Sequence, residues 1–260
     1  MLAKVFTARP LGFGRAALVV ACCGCVALGA LVSIGVEVAA WLPWLAILTL
    51  VVVIGVGVFW QRSGVFAHPL LSVKTGRAEV ALTFDDGPCG EHTLIILSLL
   101  EARGHRATFF VVGATAARDP QLLAEISRRG HAVENHSWFH SYFTPFANPS
   151  SLAAELMRTS ALIESACARR PRWFRPPVGI LSPRIAAAAA LAGLELVGWS
   201  GTARDGVPSR SEEVALARLE RAVRPGAILV LHDGVVQGTR VPIAVTVLPR
   251  CCRAAWLMAA

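Results

Sequence analysis

Two adjacent carboxylates, Asp85 and Asp86, end the apolar run 79–84 and stand just before Gly87-Pro88. The β-branched and apolar content of that run reads as a buried strand, and Gly-Pro is a stop signal for it. Both aspartates then fall at a strand's carboxyl end, where α/β folds place their sites. Neighbouring side chains at a strand exit point different ways. One carboxylate can therefore hold a metal while the other takes up a proton. A bare Asp-Asp-Gly is more often an acidic turn, so the rest of the chain has to decide.

Three other segments carry chemistry of the same kind. In Glu134-Asn135-His136-Ser137-Trp138-Phe139-His140 two histidines stand four residues apart, a spacing that converges on one ion if the segment turns helically. In Phe174-Arg175-Pro176-Pro177-Val178-Gly179 an arginine sits on a stiff backbone. It suits either a bidentate grip on a carboxylate or a surface turn. In Leu229-Val230-Leu231-His232-Asp233-Gly234 a histidine leaves a buried strand, well placed for proton transfer. A catalytic zinc keeps three protein ligands and one open position. Asp86, His136 and His140 would supply one carboxylate and two imidazoles, without cysteine.

The elements that must position these residues alternate between strand-like and helix-like patterns from Arg77 onward. Strands are expected at 78–84, 107–112, 131–135, 173–175, 194–199 and 227–231. Helices are expected at 91–102, from Asp119-Pro120 to Gly130, from a Ser150 or Ser151 cap to about Cys167, from Pro183 to Gly193, at 211–223 and at 242–260. That alternation predicts an α/β fold with a parallel sheet, open or closed as a barrel.

The N-terminal part is of another kind. The chain has 260 residues, 55% hydrophobic, with a net charge of +8, and its mean hydropathy of +0.57 is high for an ordinary soluble domain. Runs 16–36 and 41–60 carry no charge, and each is about the 20 residues that span a bilayer. Trp41, Trp44 and Trp60 lie near the ends of the second, as interfacial aromatics do. Residues 1–60 therefore read as a transmembrane hairpin, 61–77 as a flexible linker, and 78–260 as the catalytic domain. Lys4, Arg9 and Arg15 precede the hairpin, Arg62, Lys74 and Arg77 follow it, and only Glu37 lies between. By the positive-inside rule both ends face the cytoplasm of a bacterial-type inner membrane. No basic stripe with interleaved aromatics suggests nucleic acid. Three of the seven cysteines, Cys22, Cys23 and Cys25, lie in the first apolar run, and the other four show no CxxC pair and no disulfide framework.

Taken in order, Thr83-Phe84-Asp85-Asp86-Gly87-Pro88, His136-Ser137-x-x-His140, Arg175-Pro176-Pro177-x-Gly179, Trp199 with Asp205, and Leu231-His232-Asp233 resemble the five motifs of the polysaccharide deacetylases. This is carbohydrate esterase family 4, with its NodB-homology domain. The resemblance runs from about 79 to 234. It implies a distorted (β/α) barrel of seven or eight units and a metal-dependent hydrolase. Such an enzyme removes an N-acyl (acetyl) group from an amino sugar of a polysaccharide, oligosaccharide or glycolipid. It implies Asp85 as catalytic base and Asp86, His136 and His140 as ligands of a divalent metal, zinc by default. Arg175 would orient Asp85, and His232 would be the general acid with its basicity adjusted by Asp205. Trp199 and Leu231 would wall the acyl methyl, with Pro176 beside them in the substrate-binding set.

Two features depart from the family pattern. The spacing from Trp199 to Asp205 is irregular, and the chain after the fifth motif is short, which reads as a truncated catalytic domain. O-deacylation or another amide hydrolysis on the same scaffold, or a catalytically decayed membrane protein, are the alternatives. The family acts mainly on extracellular glycans, whereas a cytoplasmic domain held at the membrane suits a lipid-linked N-acyl sugar.

Overall fold

The computed structural model describes residues 13–77, 79–206, 211–234 and 241–251. Seven strands form the core: β1 Ala81–Asp85, β2 Thr108–Val111, β3 Ala132–Asn135, β4 Trp173–Phe174, β5 Glu195–Leu196, β6 Gly201–Thr202 and β7 Ile228–His232. All neighbours pair in parallel, in the order β5-β4-β3-β2-β1-β7-β6. The sheet curls into a half-barrel, as the β/α alternation predicts. Its helices are α3 Gly90–Glu101, α4 Gly113–Ala116, α5 Pro120–Arg128, α6 Pro149–Cys167, α7 Pro183–Leu191, α8 Glu212–Ala222 and α9 Ile243–Cys251. The last meets the expectation of a helix beginning near 242; residues 252–260 of that expectation lie outside the described residues, as do Ala78, Lys4 and Arg9.

Period-two alternation sorts the strand residues. Leu82 and Phe84 of β1, Phe109 of β2 and Leu229 and Leu231 of β7 join the helix-side core with Ile96, Leu97, Leu219 and Val247. Phe84 and Phe109 stack with ring centroids 5.0 Å apart. Thr83 and Asp85 are left on the concave face, beside Phe110, Val197 and Ile228 of the inner cluster. Burial of each large apolar side chain stabilises by about 1.5–3 kcal/mol. That driving force fixes the register, because a slip by one residue would send Phe84 inward and Asp85 into the helix layer.

Local signals set the helix ends. Asp119 caps α5, its Oδ1 accepting from Leu122 N–H at 3.0 Å with Pro120 at the first helical position. The α6 cap is Asn148, not Ser150 or Ser151. Asn148 Oδ1 accepts from both serine N–H groups, at 2.9 and 3.4 Å, while Pro149 opens the helix. The strand expected at 194–199 is short. It pairs with β4 only over β5, and the chain then moves within a few residues to the other edge as β6, beside β7.

The N-terminal part forms α1 Phe13–Ser33 and α2 Leu42–Phe59, both long and apolar enough to cross a membrane. The segment after them is not the loose linker that its composition predicts. Leu70 pairs in parallel with Val197, at the free edge of β5, and Ser72 pairs with Ala227 ahead of β7. Leu70 N–H donates to Leu196 O and Gly198 N–H returns a bond to Leu70 O, each at 2.9 Å. Gln61 donates to Gly179 O at 3.1 Å, and Leu181 N–H donates to Val58 O at 3.1 Å. The end of α2 is thereby fastened to the loop that follows β4.

Candidate active site

Asp86 leaves β1 with φ of 76°, a left-handed conformation tolerated by aspartate more than by most residues. Its Oδ1 lies 3.3 Å from His136 Nε2 and 3.1 Å from His140 Nε2. The three ligand atoms all fall within 4.8 Å of one another. Asp86 Oδ1 is buried without a hydrogen-bond partner, so a cation there would satisfy an otherwise costly group. The other nitrogen of His136, Nδ1, sits 2.7 Å from Arg175 O. A proton on Nδ1 donated to that carbonyl leaves the Nε2 lone pair facing Asp86, the arrangement that orients histidine ligands. Burial works to raise the Asp86 pKa, but the neighbouring His136, His232 and His140 outweigh it and hold it far below the usual carboxylate range. One carboxylate and two imidazoles in this arrangement fit a divalent metal of the zinc kind.

The histidines converge without the helical turn that their spacing suggests. Ser137 and His140 are both left-handed, with φ of 68° and 51°. Asn135 Oδ1 accepts from Ser137 N–H at 2.8 Å, and Ser137 Oγ accepts from His140 N–H at 3.0 Å. Glu155, on α6, accepts from the N–H groups of Trp138 and Phe139. Sequence reading missed Asn135 and Glu155 in this role. Asn135 directly precedes the motif and was a visible turn former; Glu155 had no local signal.

Asp85 lies on the concave face against Arg175, which is wholly buried. Arg175 Nη1 donates to Asp85 Oδ1 at 2.6 Å and to Thr83 Oγ1 at 2.8 Å, while Nη2 donates to Gly198 O at 3.0 Å. The grip is thus single-oxygen rather than bidentate, because the second arm of the guanidinium is taken by a main-chain carbonyl. Thr83 Oγ1 in turn donates to Leu229 O. The guanidinium stacks 4.0 Å over the Phe110 ring, which adds a cation–π contact to a desolvated charge.

His232 is the register partner of Asp85 across the β1–β7 pair. Asp205 clamps it twice: Oδ2 accepts from His232 N–H at 2.9 Å and Oδ1 lies 2.8 Å from Nδ1. Burial opposes the charged imidazole, but the Asp205 hydrogen bond and charge, with Asp86 and Asp85 beyond, outweigh it and push the pKa up to about 9. Asp233 points the other way, accepting from Thr93 Oγ1 at 2.6 Å. A Cβ on Gly87 would strike the Asp233 carboxylate, so only glycine lets the Asp85-Asp86 turn pass so close.

The expected substrate walls divide. Trp199 is half-buried, 5.9 Å from the Arg175 guanidinium. Pro176 is buried ahead of the 177–179 turn. Leu231 belongs to the helix-side core. It lies on the strand face opposite His232, because alternate residues of β7 face opposite ways, and it is corrected from the site. Gln61, far away in sequence, completes this wall: its side chain accepts from Trp199 N–H at 3.3 Å.

The profile of the family described as polysaccharide deacetylase matches residues 72–197. A chitooligosaccharide deacetylase of Bradyrhizobium sp. (strain ANU 289) is 37% identical over 177 residues, covering 65% of this chain and 80% of that protein. Among solved structures, the family 4 carbohydrate esterase from Streptomyces lividans, in complex with acetate, superimposes with a TM-score of 0.60 at 31% identity, covering 67% of this chain and 86% of the other. The Bc1960 peptidoglycan N-acetylglucosamine deacetylase superimposes with a TM-score of 0.64 at 27% identity, covering 73% and 89%. The chain belongs to the polysaccharide deacetylase family and is a hydrolase of that class.

Proposed function

We propose that the chain is a metal-dependent N-deacetylase of an amino sugar held at a membrane. The observation that carries this reading is the convergence of Asp86, His136 and His140 beside a buried Asp85–Arg175 pair and an Asp205–His232 pair. Asp86, His136 and His140 hold the metal, with zinc the best match to the ligand set. When bound, it supplies Lewis acidity that acidifies water and polarises a carbonyl. Arg175 pins one oxygen of Asp85, leaving the other to take a proton from the attacking water. The C–N bond then breaks as the His232 imidazolium gives its proton to the leaving nitrogen. The products are a free amine on the sugar and acetic acid. Phe139, Tyr142, Phe143 and Phe146 stand exposed on the loop that follows His136, and such flat apolar rings suit the faces of sugars.

The protonation of His232 gives this reading a pH signature. A general acid works only while protonated, so activity is expected to fall as pH rises through about 9. Asp205→Asn removes the negative charge and one of the two acceptor oxygens that hold His232, so the alkaline limb of kcat/KM should move to lower pH. A limb that stays in place would remove His232 as the acid.

Residues 1–60 are proposed as a membrane region and 78–260 as the catalytic domain, with 61–77 seating one on the other. The basic residues outside the hairpin favour a cytoplasmic catalytic face of an inner membrane. A lipid-linked sugar is then the nearest substrate. N-acetylglucosamine on a polyprenyl phosphate carrier, compared with short soluble N-acetylglucosamine oligomers, is expected to show a kcat/KM higher by on the order of 10²-fold, through effective concentration at the membrane. Equal or better turnover of the soluble oligomers would reject the membrane-held substrate.

A further inference from the structure

A cleft of about 450 Å³ opens where the end of α2 meets the catalytic domain. Its wall includes Trp60 and Arg62 just beyond α2, Trp199 from the β5–β6 connection, and Arg218, Arg221 and Arg224 along and just after α8. Four arginines therefore share one concavity, and no aspartate or glutamate is among its lining residues. Among the described residues, Arg62, Arg221 and Arg224 form no salt bridge. Arg218 is placed by its Nε–H, which donates to Thr202 O at 3.3 Å. Like charges gathered this way call for a counter-anion, and guanidinium forks match the oxygens of a phosphate.

The place of the cleft says where that phosphate comes from. Phe59 and Trp60 line it while remaining 76% and 60% exposed. They end an apolar helix long enough to cross a bilayer, the depth at which aromatic side chains meet lipid headgroups. The cleft is thus apolar on its α2 side and cationic on its α8 side. Trp199 forms part of its wall and also stands 5.9 Å from the guanidinium of Arg175, so the cleft lies one side chain away from the Asp85–Arg175 pair.

We infer that this cleft binds the phosphate headgroup of a membrane lipid, through Arg62, Arg218, Arg221 and Arg224. The inference rests on the proposed membrane hairpin. The same phosphate chemistry is offered by free phosphate in solution, and the test separates the two. Full-length protein in detergent micelles is presented with phosphatidylglycerol, phosphatidylcholine or inorganic phosphate, and retained adducts are read by native mass spectrometry.

Phosphatidylglycerol is expected to be retained over the other two. Each basic residue near an anionic headgroup contributes about fivefold to binding, so R218Q/R221Q/R224Q should weaken retention on the order of 100-fold. Because Arg218 also bonds the β6 backbone, R221Q/R224Q serves as the second variant. Both of its positions are exposed, and its expected loss is about 25-fold. Equal retention of phosphatidylglycerol by the wild type and both variants would overturn the site. Inorganic phosphate held as firmly as phosphatidylglycerol would overturn the lipid source. Partition of the detergent-free protein into the aqueous phase would overturn the hairpin and this inference with it, while leaving a soluble deacetylase intact.

Discussion

Replacing His136 or His140 with alanine should strip the metal and lower turnover by on the order of 10³-fold or more. Each histidine presents Nε2 to Asp86 Oδ1, at 3.3 and 3.1 Å, and three ligands is the number that a catalytic zinc keeps. Two ligands hold it poorly. The two variants should differ in side effects. His136 is buried and bonded to Arg175 O, so its loss also loosens the segment that carries Arg175. His140 is partly exposed and its loss should leave the fold unchanged, which makes it the cleaner measurement. Stoichiometric metal in His140→Ala, by elemental analysis of protein purified in detergent, would sink the ligand assignment.

Asp85→Asn is the second large effect. The amide keeps the shape of the side chain but cannot take a proton from water, and general bases contribute about 10²- to 10⁴-fold. The substitution also leaves Arg175 as a buried cation facing a neutral group, and breaking a buried pair in this way costs several kcal/mol in other proteins. Here Thr83 Oγ1, Gly198 O and the Phe110 ring still hold the guanidinium, so the variant should fold with a lowered melting temperature. A near-normal rate in a folded Asp85→Asn protein would exclude Asp85 as the base.

Much of this arrangement was legible in the sequence. The apolar run before Asp85 placed both aspartates at a strand exit, and the same logic placed His136, Arg175 and His232. What escaped was set by contacts between distant residues. Arg175 read equally as a surface turn, because arginine is seldom fully buried. Its partners Thr83, Asp85 and Gly198 come from separate segments that only the curled sheet brings together. Residues 61–77 lack periodicity because the segment pairs through single residues, Leu70 to one side and Ser72 to another, and isolated bridges leave no alternation to read. The two-residue β6 is too short for any pattern. The Asn148 cap, by contrast, was visible: Pro149 in the first helical position marks the residue before it. Leu231 was placed by resemblance alone, where the alternation along β7 already set it opposite His232.

The claim on which the site depends is that two neighbouring carboxylates divide the work. One oxygen of Asp85 is tied to a buried arginine, and Asp86 turns away to two histidines. The isosteric pair Asp85→Asn and Asp86→Asn tests this directly when bound zinc per protein is measured on both under the same conditions. The account predicts a full equivalent of zinc in Asp85→Asn with turnover lost, and little zinc in Asp86→Asn. Equal zinc content in the two variants, or metal lost from Asp85→Asn and kept in Asp86→Asn, would contradict it.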